Sequence, residues 1–189
     1  VQGKAAHAGL DPTAGASAIL ELSHVIQKLF KLNDHSKGTS VNVGMVDGGI
    51  RPNVIAPQSS AIVDVRVQSQ AEADLIETTI HSLQAETPGV TLIVEGAIGR
   101  PPMERTEPNQ RFWQLATKLS ADIPLQLQQG IAGGGSDGNT TSLYTATLDG
   151  LGAVGDGAHA DHEFIFIDQL PTRCTLLTLL LMAPSLAAH

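Results

Sequence analysis

The residues best equipped for chemistry crowd into one stretch, Gly155-Asp156-Gly157-Ala158-His159-Ala160-Asp161-His162-Glu163. Imidazole suits zinc, and carboxylates near it bind metal or orient the ring. His159 is the candidate ligand; His162 and Glu163 read as surface residues or as groups that orient a ligand. Spacing alone slightly favours a solvated polar loop ahead of a strand. A second histidine, His7, lies in Gly3-Lys4-Ala5-Ala6-His7-Ala8-Gly9, between small residues that let another surface approach closely. Alone, a loop histidine is more often inert than catalytic.

The segment Gly133-Gly134-Gly135-Ser136-Asp137-Gly138-Asn139 leads into a helix, with Ser136, Asp137 or Asn139 as candidate N-caps and several main-chain N–H groups free to face an anion. It lacks the lysine-Ser/Thr ending of a phosphate loop. A turn that merely caps the helix is as good a reading as an anion site. Ser136, His159 and Asp161 supply the members of a hydrolytic triad, but no nucleophile-elbow pattern surrounds the serine. No carboxylate pair stands at a spacing that argues for acid–base work.

The elements around these groups can be read from periodicity. Ala18, Ile19, Leu22, Val25, Ile26, Leu29 and Phe30 recur at helical spacing after Pro12 and Gly15. Val41, Val43 and Met45 alternate up to the turn Asp47-Gly48-Gly49, and Ala61, Val63, Val65 and Val67 alternate against Ile62, Asp64, Arg66 and Gln68. Residues 71–85 read as a second helix, closed by Pro88-Gly89 before a strand at 90–95, and Val1–Ala6 reads as the tail of a strand. Strand, helix, strand, strand, helix, strand is the split pattern of a ferredoxin-like α/β unit, an open antiparallel sheet with two helices on one face.

The proline- and arginine-containing stretch 99–108 marks a boundary. Beyond it the sequence predicts a helix around Phe112–Leu119, a weak strand at 125–129, a short helix from about Asn139, a strand near 146–148 and a final helix over about 169–183. Alternating helix and strand implies parallel pairing, yet two or three strands are too few for a parallel sheet buried on both faces. This half reads as incomplete. The expected division is a first domain over 1–98 and a second unit over 105–189.

Composition narrows the function classes. The 189 residues are 42% hydrophobic, 16% charged and 3% aromatic, so the core must be aliphatic. With 11 basic against 19 acidic side chains the net charge is −8, which argues against nucleic acid or an anionic membrane surface as partner. One cysteine excludes an internal disulfide and a cysteine-based metal cluster. The longest apolar run falls far short of the roughly 20 residues a spanning helix needs. The chain opens at Val1 without methionine or leader-like sequence, as a processed protein or a piece of a longer one would. A cytoplasmic location is the expectation.

Six segments taken in order resemble the M20 zinc metallopeptidases, and within them the glutamate carboxypeptidase group. They are Gly3-Lys4-Ala5-Ala6-His7-Ala8-Gly9 with Pro12, Gly15 and Ser17-Ala18; Arg51-Pro52-Asn53-Val54-Ile55-Ala56-Pro57; Asp64-Val65-Arg66; Gly99-Arg100-Pro101-Pro102; Gly133-Gly134-Gly135-Ser136-Asp137; and Leu151-Gly152 through His159 and Glu163. Each is weak singly; their order and separation make the resemblance specific, and it covers essentially the whole chain.

The resemblance implies a di-zinc catalytic domain interrupted by a lid that mediates dimerisation. The first domain is then similar to the lid, and residues from about 105 to the C-terminal part of the catalytic domain. Nothing here matches the family's His-x-Asp motif, bridging aspartate or Glu-Glu pair, which precede the lid. By resemblance His159 is the last metal ligand, and His7 the lid histidine that hydrogen-bonds the developing oxyanion in the partner subunit. Arg100, Asn53 and the main chain at Gly135 correspond to groups that receive the substrate's terminal carboxylate. A guanidinium fork, an amide donor and an unobstructed N–H suit that anion. Arg66 matches a strand arginine of the family, or simply holds a salt bridge.

The chemistry implied is hydrolysis, at two zinc ions (or other divalent metals), of the amide next to a free, acidic C-terminal residue of a small peptide or N-acyl amino acid, by a homodimer. A chain with one ligand is not expected to bind catalytic zinc tightly or to turn over substrate. Two other readings stand beside it: a non-catalytic dimerisation or ligand-binding module that keeps the lid, and a regulatory domain that senses amino acids through the glycine-rich segment.

Overall fold

The computed structural model describes residues 1–132 and 134–185. The chain divides into two compact units, Val1–Pro102 and Met103–His189.

In the first unit, α1 (Ala18–Phe30) starts where the Ser17 side chain accepts the Leu20 N–H at 3.2 Å. Its buried face is Ala18, Glu21, Leu22, Val25 and Leu29, a spacing of three and four that makes one stripe. Helix α2 (Gln70–His81) is capped in the same way by Ser69, which accepts the Glu72 N–H at 3.2 Å. Between the helices run β1 (Ser40–Gly48) and β2 (Ser59–Arg66), paired antiparallel with Val41 opposite Val65 and Val43 opposite Val63. The core is Val25, Leu29, Val41 and Ile76, with Val43, Val63, Val65 and Ile80 packed against it.

The alternation predicted through Met45 breaks. A register shift between Val43 and Met45 marks a bulge, and Met45 and Val46 both turn outward. The strands expected at the two ends of this unit's sequence, 1–6 and 90–95, are also shorter than the sequence suggests. Residues 1–3 lie between the start of β2 and Thr91: Gln2 bridges Gln58 and Thr91, and its N–H and C=O meet the Thr91 C=O and N–H at 2.8 and 2.7 Å. The spatial order is therefore β1, β2, residues 1–3, Thr91, the order of a ferredoxin-like sheet. Only single bridges hold its far side.

In the second unit, α3 (Glu107–Ser120) and α5 (Leu170–Met182) pack together through Ala116, Leu176 and Leu180. Thr106 caps α3 by accepting the Asn109 N–H. Between them lie the single-turn helix α4 (Asp137–Thr141) and a two-residue hairpin, β3 (Gly155–Asp156) with β4 (Phe164–Ile165). The parallel pairing expected from alternation is absent among the described residues, where the one ladder of this unit is antiparallel. The expected strands at 125–129 and 146–148 are extended chain without a ladder. Leu125, Leu127 and Leu148 spend their apolar side chains on the α3–α5 core instead. No helix among the described residues is long and apolar enough to cross a membrane.

Candidate functional site

His7 is placed by main-chain pairing on one side and packing on the other. The Gly3 N–H donates to the Pro57 carbonyl at 2.8 Å, the Ile55 N–H to Ala6 at 2.9 Å and the Ala8 N–H to Asn53 at 3.0 Å, with His7 opposite Val54. The opposite edge of the same segment is held by Lys4 and Ala16, which exchange both hydrogen bonds at 2.8 and 2.9 Å. Gly15 must be small here: a Cβ would stand 2.7 Å from Ile55 Cδ1 and 2.9 Å from Ala6 Cβ. The imidazole itself is exposed, and its Nδ1 accepts the Gly9 and Leu10 N–H groups at 3.1 and 3.2 Å.

His7 and Asn53 are thus brought to one place, one register step apart. Asn53 sits in a turn closed by the Val54 N–H on the Arg51 carbonyl at 3.1 Å, with its side chain exposed. Arg100 is exposed near the end of the first unit and has no carboxylate partner among the described residues. Arg66 donates from Nε to Asp64 Oδ2 at 2.8 Å on the solvent face of β2. Such an exposed pair contributes about 0–1 kcal/mol.

Gly135 and His159 belong to the second unit. Gly133 lies outside the described residues, and Gly135 is exposed. The chain after it is fixed by a capping box: Ser136 Oγ accepts the Gly138 N–H at 3.1 Å, and the Ser136 N–H donates to Asn139 Oδ1 at 2.8 Å. Ser136 Oγ also donates to Asp149 Oδ2 at 2.5 Å. Arg173 on α5 in turn holds the carbonyls of Gly150 and Gly152, the latter at 2.9 Å. Asp149 and Arg173 were not visible as supports in the sequence, because neither sits in a motif. A cleft of about 110 Å³ beside them is lined by Trp113, Gln126, Gln128, Asp149 and Arg173, and by neither Gly135 nor His159.

His159 is exposed in the loop between β3 and β4, at the third position of a turn closed by the Ala160 N–H on the Gly157 carbonyl at 2.8 Å. Its φ is +67°, the one positive value at a non-glycine position among the described residues. Gly or Asn normally fills such a place. Gly157, at φ +75°, has no room for a side chain either, since a Cβ would lie 3.0 Å from His162 Cδ2.

Zinc needs three or four donors. Among the described residues no group of three or more His, Cys, Asp or Glu side chains could hold a metal ion. The described residues therefore do not form a zinc site by themselves, and His159 is an exposed imidazole.

Residues 1–90 match the M20 dimerisation model, a peptidase dimerisation domain. Over those residues the chain is similar to the M20 peptidases. Carboxypeptidase G2 of Pseudomonas sp. (strain RS-16) is 26% identical to this chain over 188 residues, covering 96% of it and 45% of the relative. Aminoacylase-1 of Pongo abelii is 26% identical over 92% of this chain and 45% of its own length. The chain spans about half the length of these relatives. In fold, it resembles the aminopeptidase PepT of Bacillus cereus ATCC 10987, with TM-score 0.77 and 20% identity over 95% of this chain and 48% of that one. The names of these two relatives give carboxypeptidase and aminoacylase activities for those proteins.

Proposed function

We propose that this chain is the lid and C-terminal catalytic portion of a metal-dependent M20 hydrolase that cleaves the amide next to a free C-terminal amino acid. The observation that carries the reading is the register pairing of His7 with Val54 beside Asn53. It brings the main chain of an exposed histidine beside that of an exposed asparagine.

In this reading His7 donates a hydrogen bond to the oxygen that gains charge as water adds to the scissile carbonyl. A donor of that kind contributes on the order of 3 kcal/mol to the transition state. Arg100 offers its guanidinium fork to the substrate carboxylate, while Asn53 and the Gly135 N–H complete the anion's hydrogen bonds. His159 gives one imidazole to zinc, two per active site, or to another divalent ion. The remaining donors would lie in polypeptide outside this chain, so the 189 residues alone are expected to be inactive. Substrates are small peptides or N-acyl amino acids, and the expected location is cytoplasmic.

The dimerisation domain supports a homodimer through the outer face of α1 and the edge strand β1. Ile19, Leu20 and Phe30 on α1 and Met45 and Val46 on β1 are exposed apolar residues on those elements. A non-catalytic dimerisation module is the second reading, favoured by the match of residues 1–90 to that domain and by the lack of a three-donor metal group among the described residues.

The test is hydrolysis by the full-length parent at saturating zinc. Turnover of N-acylated amino acids or dipeptides is expected, and none at all would leave the module reading. Arg100→Ala in the parent should raise KM by about 10- to 100-fold, the loss of a charged hydrogen bond of roughly 1.5–3 kcal/mol. An unchanged KM removes Arg100 from the carboxylate site.

A further inference from the structure

A neutral imidazole carries its hydrogen on one nitrogen and accepts through the other, so the partners of one nitrogen settle the state of its twin. Nδ1 of His7 faces two main-chain donors, the Gly9 N–H at 3.1 Å and the Leu10 N–H at 3.2 Å. The Leu10 N–H is shared with the His7 carbonyl at 3.2 Å, which also takes the Asp11 N–H at 3.1 Å. A hydrogen on Nδ1 would meet the Gly9 hydrogen head-on and break the turn that follows the histidine.

We propose that the main-chain N–H groups of Gly9 and Leu10 are positioning groups that hold His7 in the Nε2–H tautomer. The exposed pole of the ring is then a hydrogen-bond donor with no lone pair to offer. Such a group selects an oxygen acceptor, whether oxyanion, carbonyl or carboxylate, and is neither a base nor a metal ligand through Nε2. The histidine is more than a side chain on a loop: it caps the turn Ala8-Gly9-Leu10 with one nitrogen and presents the other. The backbone that carries it is anchored on both edges, by Ala6 and Ala8 to residues 53–55 and by Lys4 to Ala16. Space does not explain Gly9, since a Cβ there would lie 3.7 Å from the ring in ordinary contact. Its N–H is what the geometry uses. The tautomer stands on these distances alone; only its consequence for catalysis rests on the role proposed for His7 above.

The test is ring and amide NMR of the 189-residue chain near pH 8.5, about two units above an ordinary imidazole pKa of ~6.5. The expected result is a His7 spectrum of one tautomer, with hydrogen on Nε2 and a scalar coupling between the Gly9 amide nitrogen and Nδ1. Exchange of the Gly9 amide should be slowed about tenfold relative to His7→Ala, the scale of one hydrogen bond. His7→Asn, whose side-chain oxygen falls where Nδ1 does, should keep that slowing, and His7→Gln should lose it. A hydrogen on Nδ1, a tautomer mixture like that of an unstructured peptide, or equal Gly9 exchange with and without the ring overturns the proposal. If the Nε2–H spectrum is found and His7→Asn leaves turnover by the full-length parent unchanged, the tautomer is upheld and the catalytic role alone falls.

Discussion

The Thr87 N–H donates to the Glu21 carboxylate at 2.6 Å, and Glu21 is completely buried on α1. The Glu86 N–H reaches both carboxylate oxygens at 3.0 and 3.1 Å. One side chain therefore ties the first helix to the turn ahead of Thr91, whose pairing with Gln2 begins the segment that carries His7. Lys28 adds an ion pair to the Glu86 carboxylate at 2.8 Å across the same junction.

Replacing Glu21 by Gln is expected to cost about 1.5–3 kcal/mol, since the Glu86 and Thr87 N–H groups then meet a neutral amide with one acceptor oxygen in place of a buried charge with two. A lowered urea midpoint with unchanged slope is the readout. The pH dependence has a definite sign. Burial pushes the Glu21 carboxyl up, but Thr87 and the Glu86 N–H outweigh it and hold it below its ordinary value of 4.5. The hydrogen bond and charge of Lys28 likewise lower Glu86. This stabilisation is fully present above the unfolded carboxyl range and is lost as pH falls through the lower folded values. Glu21→Gln should flatten the acid limb of stability against pH; an unaltered limb contradicts the assignment.

Gly15→Ala should destabilise the first unit by about 1–3 kcal/mol, because the new methyl meets Ile55 and Ala6 below contact distance. Part of that loss should return in Gly15→Ala with Ile55→Val, where the blocking Cδ1 is gone. Equal stability of Gly15→Ala and the parent chain in denaturant titration would show the contact to be slack.

At His159 the backbone and the imidazole make separable demands. His159→Gly or His159→Asn should leave thermal stability of the chain unchanged or slightly higher, and His159→Val should lower it by about 1–2 kcal/mol, since a branched side chain resists positive φ. In the full-length parent, His159→Asn should lose metal and activity while folding normally. Metal content by elemental analysis reads the first, and retained zinc would remove His159 from the ligand set.

Light scattering of the chain should give the mass of a dimer. Val46→Asp on the edge strand, exposed in the single chain, should shift that mass to the monomer without unfolding the domain, because a charge buried at an interface is costly. A monomer at high concentration before any substitution would argue against the dimer.

The helices were legible because the apolar period survives in the sequence, as in the Leu22–Val25–Leu29 stripe of α1, while the Ser17 and Ser69 caps emerge only in the structure. Met45 misled because alternation does not register an inserted residue, and one bulge reverses every side chain after it. Leu125, Leu127 and Leu148 misled for a different reason: apolar alternation reports burial, and helices can supply that burial without any strand partner. Ser136 was readable as a cap, since capping is local. The Nδ1 contacts of His7 and the φ of His159 were not, because each depends on how the main chain turns and leaves no trace in residue types.

Arg173 gives the C-terminal helix a reach beyond its own packing. By grasping the carbonyls of Gly150 and Gly152 it steadies the strip that contains Asp149, and through Ser136 the glycine run at Gly135. Trimming helix α5, by protease or by a stop codon, would untether that run from some forty residues away in sequence, so damage at the tail would be felt at Gly135.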